Sequence, residues 1–384
     1  MRRDRATGCR LLVLASKPAG QSPSQRYRLE QWAPHLAREH GITLEFAPFE
    51  SEALARLLYE PGHVAAKAFW TVSDFIRRSA VIGRARRYDA IIIHREAALI
   101  GPALYEQLLA WIGIPIIYDF DDTIWSPGQA WKNGLFSRLH FTGKTSRICK
   151  LASAVTTGND YLGCYARRRN ADVTIVPSSI ELADYPEIAE PEASGRFIVC
   201  WTGSTSTLVH FEHAREALER IAAHIPLTVK IICSRPPDQP IVGAEMVFVK
   251  WSAEREAAEV GDCHVGIMPL PDNEVSRGKG GMKALQYMAT GRAVVASPVG
   301  VNAEIIRSGE NGLLAGSADE WVEALSALAR DPALRKRLGK AARRTVEDGF
   351  TATISAAKFA AVVDRVLANR KPVDLNVEPA RLSQ

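Results

Sequence analysis

Long hydrophobic runs are absent from this 384-residue chain. Crossing a bilayer as a helix takes roughly 18 or more consecutive apolar residues, so no membrane-spanning helix is expected. The opening stretch, MRRDRATGCRLLVLAS, has too short an apolar core for a signal peptide, and the expected compartment is the cytoplasm. Cysteine is sparse. Cys9, Cys149, Cys164, Cys200, Cys233 and Cys263 lie far apart with no CxxC pair, which excludes a disulfide-stapled fold and a zinc ribbon. Several sit in strand-like runs such as FIVCW and VKIICS and read as buried free thiols. His210, His213 and His264 lack the spacing of metal ligands, so no metal or other cofactor is expected. Repeats at solenoid spacing and low-complexity tracts are also missing. The net charge of +5 is mild, and the basic residues are not interleaved with a nucleic-acid-binding module, which argues against a nucleic-acid partner.

What remains is ordinary globular material, 47% hydrophobic and 24% charged, long enough for two domains with sizeable cores. Short apolar runs alternate with helical patterns. In the first half the strand-like runs are CRLLVLAS, TLEFAPF, DAIIIHRE, IPIIYDFDD, ASAVTTGN and VTIVPSSI; in the second they are RFIVCWTGS, LTVKIICS, MVFVKW, CHVGIMPL, AVVASP and GLLA. A long helix is predicted from about Thr207 to His224 and another near residues 134–151. Apolar strands separated by helices imply parallel βαβ units with right-handed crossovers. The fold class is therefore α/β, with two doubly wound, Rossmann-like domains facing a cleft. Residues 1–180 form the first domain, 181–195 an acidic, proline-containing linker, 196–350 the second domain, 351–370 a last helix and 371–384 a loose tail. Ligands of such sheets collect at the carboxyl ends of the strands.

Residues 277–302, RGKGGMKALQYMATGRAVVASPVGVN, join a basic, glycine-rich loop to a short helix and a buried strand. Gly278, Gly280 and Gly281 remove the side chains that would keep a ligand from the backbone. A helix starting near Gly281 offers unpaired N–H groups and a positive dipole end to phosphate. If its first turn is helical, Lys279, Lys283 and Gln286, at i, i+4 and i+7, share one face. Lys283, helped by Lys279 or Arg277, would then add positive charge to a diphosphate site without a metal. The turn closing CWTGSTST offers Gly203 and Ser204 to phosphate oxygens, with helix capping as the alternative role.

The run LQYMATGRAVVASPVGVNAEII, residues 285–306, resembles the carboxyl-half signature of the GT-B glycosyltransferases of the group 1, or family 4-like, class. That resemblance implies a retaining, hexosyl-type transfer from a nucleotide-sugar donor to a glycan, lipid-linked or small-molecule acceptor. It also implies a last helix, TATISAAKFAAVVDRVLA, that crosses back to the first domain. The two glutamates usual in the family fall at Gly278 and Gln286, so this chain is similar to a variant with one carboxylate gone and the other an amide. Gln286 would bond ribose or donor hydroxyls, and Gln286→Glu should be tolerated. In relatives the loop after the first strand lies near the transferred group. Here it carries Arg26 and Arg28 as acceptor-side candidates, of which at most one can reach the cleft because i and i+2 do not share a helix face.

The string DFDDTIW puts Asp119, Asp121 and Asp122 at a strand end, where group 1 relatives hold acceptor-contacting or base-like groups. His94 and Arg95, closing DAIIIHRE, point the same way. The string also resembles the first motif of haloacid-dehalogenase-type phosphatases, with Asp119 as nucleophile and Asp121 as general acid around magnesium. That family carries the motif on its first strand and needs a late acidic pair at a strand end, whereas Asp319 and Glu320 open a helix. A catalytically silent nucleotide- or glycan-binding protein is a further alternative. Residues 63–88 mix Val64, Phe69, Trp70, Val72, Phe75 and Ile76 with Lys67, Arg77, Arg78, Arg84, Arg86 and Arg87. This suits peripheral docking on an anionic membrane, or else an ordinary solvated basic helix.

Overall fold

The computed structural model describes residues 8–58, 60, 62–126, 141, 143–191 and 195–369. Strands β1 (Cys9–Ala15), β2 (Ile42–Pro48), β3 (Ala90–His94), β4 (Ile116–Phe120), β5 (Ala154–Thr157) and β6 (Val173–Ile175) form one parallel sheet, ordered β2-β1-β3-β4-β5-β6. Every residue of β3, β4 and β5 is buried, as a parallel strand covered on both faces by helices requires, and this is why AIIIH and IIYDF show no polar alternation.

The second sheet contains β7 (Phe197–Thr202), β8 (Leu227–Cys233), β9 (Glu245–Lys250), β10 (Val265–Met268), β11 (Ala293–Ala296) and β12 (Leu313–Leu314), ordered β12-β11-β10-β7-β8-β9. Strand addition reverses between β1 and β3 in the first sheet and between β7 and β10 in the second. Loops diverge at such reversals and leave a crevice at the carboxyl ends of the strands.

The helix Ala352–Ala368 packs on the first sheet: Phe359 sits 5.6 Å from the Trp32 ring, and Val362, Val363 and Val366 share a core with Leu11, Val13 and Ile92. The long helix predicted after β7 is broken into Leu208–Phe211, a tight turn at Glu212–Ala214, and Arg215–Ala222. The acidic connecting segment is not loose throughout, because Tyr185 within it is 1% exposed. Of the helix predicted near 134–151, Lys144–Leu151 is seen, while residues 134–140 and 142 lie outside the described residues, as do 192–194 and the tail from 370. Among the described residues no helix is long and apolar enough to cross a membrane.

Candidate active site between the two sheets

Parallel register brings the ends of three strands of the first sheet together, pairing His94 with Asp119 and Asp119 with Thr156. Asp119 is fully buried, and both of its oxygens are engaged. Oδ1 accepts from Arg28 Nη2 (2.6 Å) and Thr156 Oγ1 (2.5 Å), and Oδ2 accepts from Arg28 Nε (3.0 Å) and lies 2.8 Å from His94 Nδ1. Burial by itself raises a carboxyl pKa. Here the Arg28 guanidinium and His94 overcome it and hold Asp119 well below the usual range. His94 Nε2 lies 2.9 Å from Ser24 Oγ, and Ser24 donates to Asp121 Oδ1 at 2.5 Å. A continuous polar chain thus runs from buried Asp119 to partly exposed Asp121 at the β1/β3 reversal. Arg95, next to it, has φ +66°, a left-handed backbone uncommon outside glycine and fixed by its N–H donating to the Asp119 carbonyl.

Across the crevice, Asn159 fixes the glycine-rich loop: its Nδ2 donates to the carbonyls of Arg277 (3.3 Å) and Lys279 (3.1 Å). The loop is followed by the helix Met282–Ala289, with Gly281 at φ +71° as its amino-terminal cap. Lys279 therefore precedes the helix and does not share its face with Lys283 and Gln286. Its ammonium pairs with Asp122 Oδ2 at 3.0 Å, and Asp122 is also 3.9 Å from Arg95. Burial raises the Asp122 pKa, but Lys279 and Arg95 together bring it below the usual value.

Lys283 is different. Its Nζ lies 5.6 Å from the centre of the Trp201 ring at the end of β7, and no carboxylate pairs with it among the described residues. Burial first, and then the neighbouring Lys279, push its pKa down to about 8. His210 is lowered to about 4 by burial and by Lys283 and Lys279, so it is neutral near pH 7, and its buried Nδ1 has no partner. Beside them Ser204 caps the turn Thr205–Thr207 with Thr207, and a Cβ on Gly203 would fall 2.5 Å from the Trp201 ring. Lys283 is thus a cation beside neutral His210 with no carboxylate partner among the described residues, near the end of β7.

Several residues read as ligand contacts from the sequence are placed otherwise. Arg28 is wholly buried against Asp119 and cannot reach an acceptor. Arg26 pairs with Glu256 of the second domain at 2.9 Å. Gln286 is 4% exposed, and its Nε2 donates to the hydroxyls of Tyr27 (2.8 Å) and Tyr185 (2.9 Å), so its amide joins the domains and does not face donor hydroxyls. Both tyrosines donate to Glu256 Oε2, and Trp251 Nε1 donates to its Oε1. Arg277 is exposed and paired with Asp272. Gly278 packs against the first domain: a Cβ there would lie 2.4 Å from the Thr123 methyl, which is why a glutamate is not accommodated. A Cβ on Gly280 would lie 3.1 Å from Ser178 Oγ, so that glycine too answers to the domain contact.

The sequence reading missed Ser24, Thr156, His210, Asn159 and Glu256. Only Ser24, in the turn-forming SPSQ run after the first strand, carried a local signal. As for the aspartates, neither oxygen of Asp119 is free to act as a nucleophile.

Comparison with known proteins bears on the same elements. Residues 196–331, from the start of β7 through the helix after β12, match the family model described as glycosyl transferases group 1. The D-inositol 3-phosphate glycosyltransferase of Pseudarthrobacter chlorophenolicus is 38% identical over 97 residues, 24% of this chain and 23% of that protein, so the match spans under a quarter of that relative. The lipopolysaccharide core biosynthesis mannosyltransferase LpcC of Rhizobium leguminosarum bv. viciae is 25% identical over 252 residues, 60% of this chain and 69% of that protein. The solved structure of HepE from Anabaena in complex with UDP and glucose shares the fold, with a TM-score of 0.61 at 14% identity, over 93% of this chain and 100% of that one. Two parallel six-stranded sheets and a helix returning to the first of them give the chain the GT-B fold, and its second domain, over residues 196–331, is similar to group 1 glycosyl transferases.

Proposed function

We propose that this protein transfers a hexose-type sugar from a nucleotide-diphosphate donor on the second domain to an acceptor hydroxyl presented by the first, with retention of anomeric configuration and no obligatory metal. The observation that carries the reading is Lys283, a half-buried ammonium with no carboxylate partner among the described residues, beside Lys279 and neutral His210. A cation held without its counter-ion is a preorganised partner for the charge that grows on a departing diphosphate. The family match and the HepE complex, which holds UDP and glucose, support the donor class.

On the acceptor side, Asp121 is the one of the three strand-end aspartates that no lysine or arginine pairs with among the described residues. Through Ser24 it connects to His94 and buried Asp119, a chain suited to orienting an acceptor hydroxyl and receiving its proton. No protein nucleophile is assigned. Asp119 is saturated, and Asp122 is tied to Lys279.

Thermal-shift screening against nucleoside diphosphates and their sugars is the first test, because a ligand that binds only the folded state raises its apparent stability. Stabilisation by one base series, followed by release of the donor sugar with retained configuration in early-time NMR, supports the reading. Binding with no turnover toward water or any sugar or lipid acceptor points instead to a silent binding protein. A flat response to every nucleotide, or a magnesium-dependent phosphatase activity, overturns it.

A further inference from the structure

Three of the five residues from Arg277 to Gly281 are glycine. Glycine gives up more conformational freedom on ordering than any other residue and brings no side chain to pack, so such a loop needs outside partners to keep one shape. Its own domain supplies part of them: the N–H groups of Arg277, Gly278 and Lys279 donate back to the carbonyls of Asn273, Glu274 and Ser276. The carbonyls of Arg277 and Lys279 instead turn to the first domain, where both meet one side chain, that of Asn159.

Asn159 lies two residues after β5, is 2% exposed and uses its whole amide. Oδ1 accepts the Leu162 N–H at 2.9 Å and caps the helix Asp160–Arg167, while Nδ2 donates to the Arg277 carbonyl at 3.3 Å and the Lys279 carbonyl at 3.1 Å. A backbone N–H can only donate. Leu162 therefore fixes the oxygen end of the amide and leaves both amide hydrogens for the loop. In a trans peptide the carbonyl and the next N–H point in opposite directions. Holding the Lys279 carbonyl thus sends the Gly280 N–H away from Asn159, and that N–H has no acceptor among the described residues.

We infer that Asn159 is a positioning residue for the donor: from the acceptor-side domain it sets the 279–280 peptide of the donor-side loop so that the Gly280 N–H meets a diphosphate oxygen. The diphosphate site is then complete only where the two domains meet. This inference rests on the donor reading proposed above.

Two variants of the full-length protein test it. In Asn159→Ser the hydroxyl still accepts the Leu162 N–H but is too short to reach the loop carbonyls, whereas Asn159→Ala loses the cap as well. Hydrogen exchange in the free protein should quicken at the Gly278 and Lys279 amides of Asn159→Ser, with the helix Asp160–Arg167 exchanging as in the parent. Titration calorimetry with UDP, GDP and ADP, and with the matching nucleosides, reads the consequence. Whichever diphosphate the parent binds should bind Asn159→Ser about tenfold more weakly, the scale of one or two lost hydrogen bonds. The matching nucleoside, which lacks phosphates, should bind both proteins equally. Asn159→Ala should show the same loss of diphosphate affinity and, unlike Asn159→Ser, a lower melting temperature. Unchanged loop exchange or unchanged diphosphate affinity in Asn159→Ser overturns the role of Asn159 and leaves the donor reading intact, as does an equal loss of nucleoside and diphosphate affinity. A parent protein that binds none of the three diphosphates overturns the donor reading itself and this inference with it.

Discussion

Lys279 Nζ lies 3.0 Å from Asp122 Oδ2, an ion pair that joins the glycine-rich loop of the second domain to the strand-end aspartates of the first. Lys283, four residues on, has no such partner among the described residues. Two lysines that look equivalent in the sequence therefore stand differently: one ties the domains, and the other, over the Trp201 ring, is the one proposed to meet the donor.

Lys283→Ala should lower the rate of sugar transfer or donor hydrolysis by on the order of a hundredfold, comparable to removing one preorganised donor from a developing anion. Its melting temperature should stay near that of the parent, because no partner is left buried and unpaired. Steady-state kinetics and calorimetry on the same preparation check both halves. Full activity with unchanged nucleotide affinity would show that the diphosphate binds elsewhere.

Lys283 also sets a pH dependence. With its pKa down to about 8 in the free protein, it loses charge as pH rises through that value. A bound diphosphate favours the charged form and so raises the pKa, and binding near and above pH 8 must take up a proton. Affinity for a nucleoside diphosphate should fall from pH 7 to pH 9 in the parent protein and stay nearly level in Lys283→Arg, whose charge does not titrate. Titration calorimetry in buffers of different ionisation enthalpy reads the proton uptake directly.

Asp119→Asn should destabilise the fold by about 3 to 5 kcal/mol, because it leaves the wholly buried Arg28 guanidinium without its counter-charge. The native Asp119 carboxyl is held below its unfolded value. Its contribution is therefore fully present at neutral pH and is lost as pH falls below about 4, toward the native value. Acid unfolding of the parent and of Asp119→Asn, followed by circular dichroism, should converge at low pH. A variant as stable as the parent at pH 7 would contradict the structural role.

Gly278→Ala should cost about 1 to 3 kcal/mol, since its Cβ would fall 2.4 Å from the Thr123 methyl group. Thr123→Ser removes that methyl and should recover most of the loss in the double variant. Chemical denaturation of the four proteins of the cycle gives the coupling, and additive effects would mean that the two residues do not meet.

Gln286→Glu, which the family resemblance suggests should be tolerated, is now expected to lower the melting temperature. It removes the N–H donors to Tyr27 and Tyr185 and brings a second carboxylate next to the cage around Glu256. Differential scanning calorimetry against Gln286→Met, which fills similar space without charge, separates lost hydrogen bonds from added repulsion.

The sequence alone determined the α/β class and nearly all the strands, because a parallel strand buried on both faces must be continuously apolar, and AIIIH, IIYDF and AVVA are. It also marked Lys283 as a candidate, since a lysine in the first turn of a helix behind three glycines is a local pattern. What it left open was every role fixed by a residue distant in the chain. Asp119 in DFDDTIW read as an acceptor-side group or, less well, as a phosphatase nucleophile, and Arg28, 91 positions away, takes up its oxygens instead. Gln286 looked like a donor contact until Tyr27, 259 positions away, took its amide. Gly278 looked like room for a ligand, whereas the Thr123 methyl occupies that room. Local periodicity records which side of a strand or helix must be apolar. Which polar group satisfies which depends on how the two domains pack, and only the tertiary structure decides that.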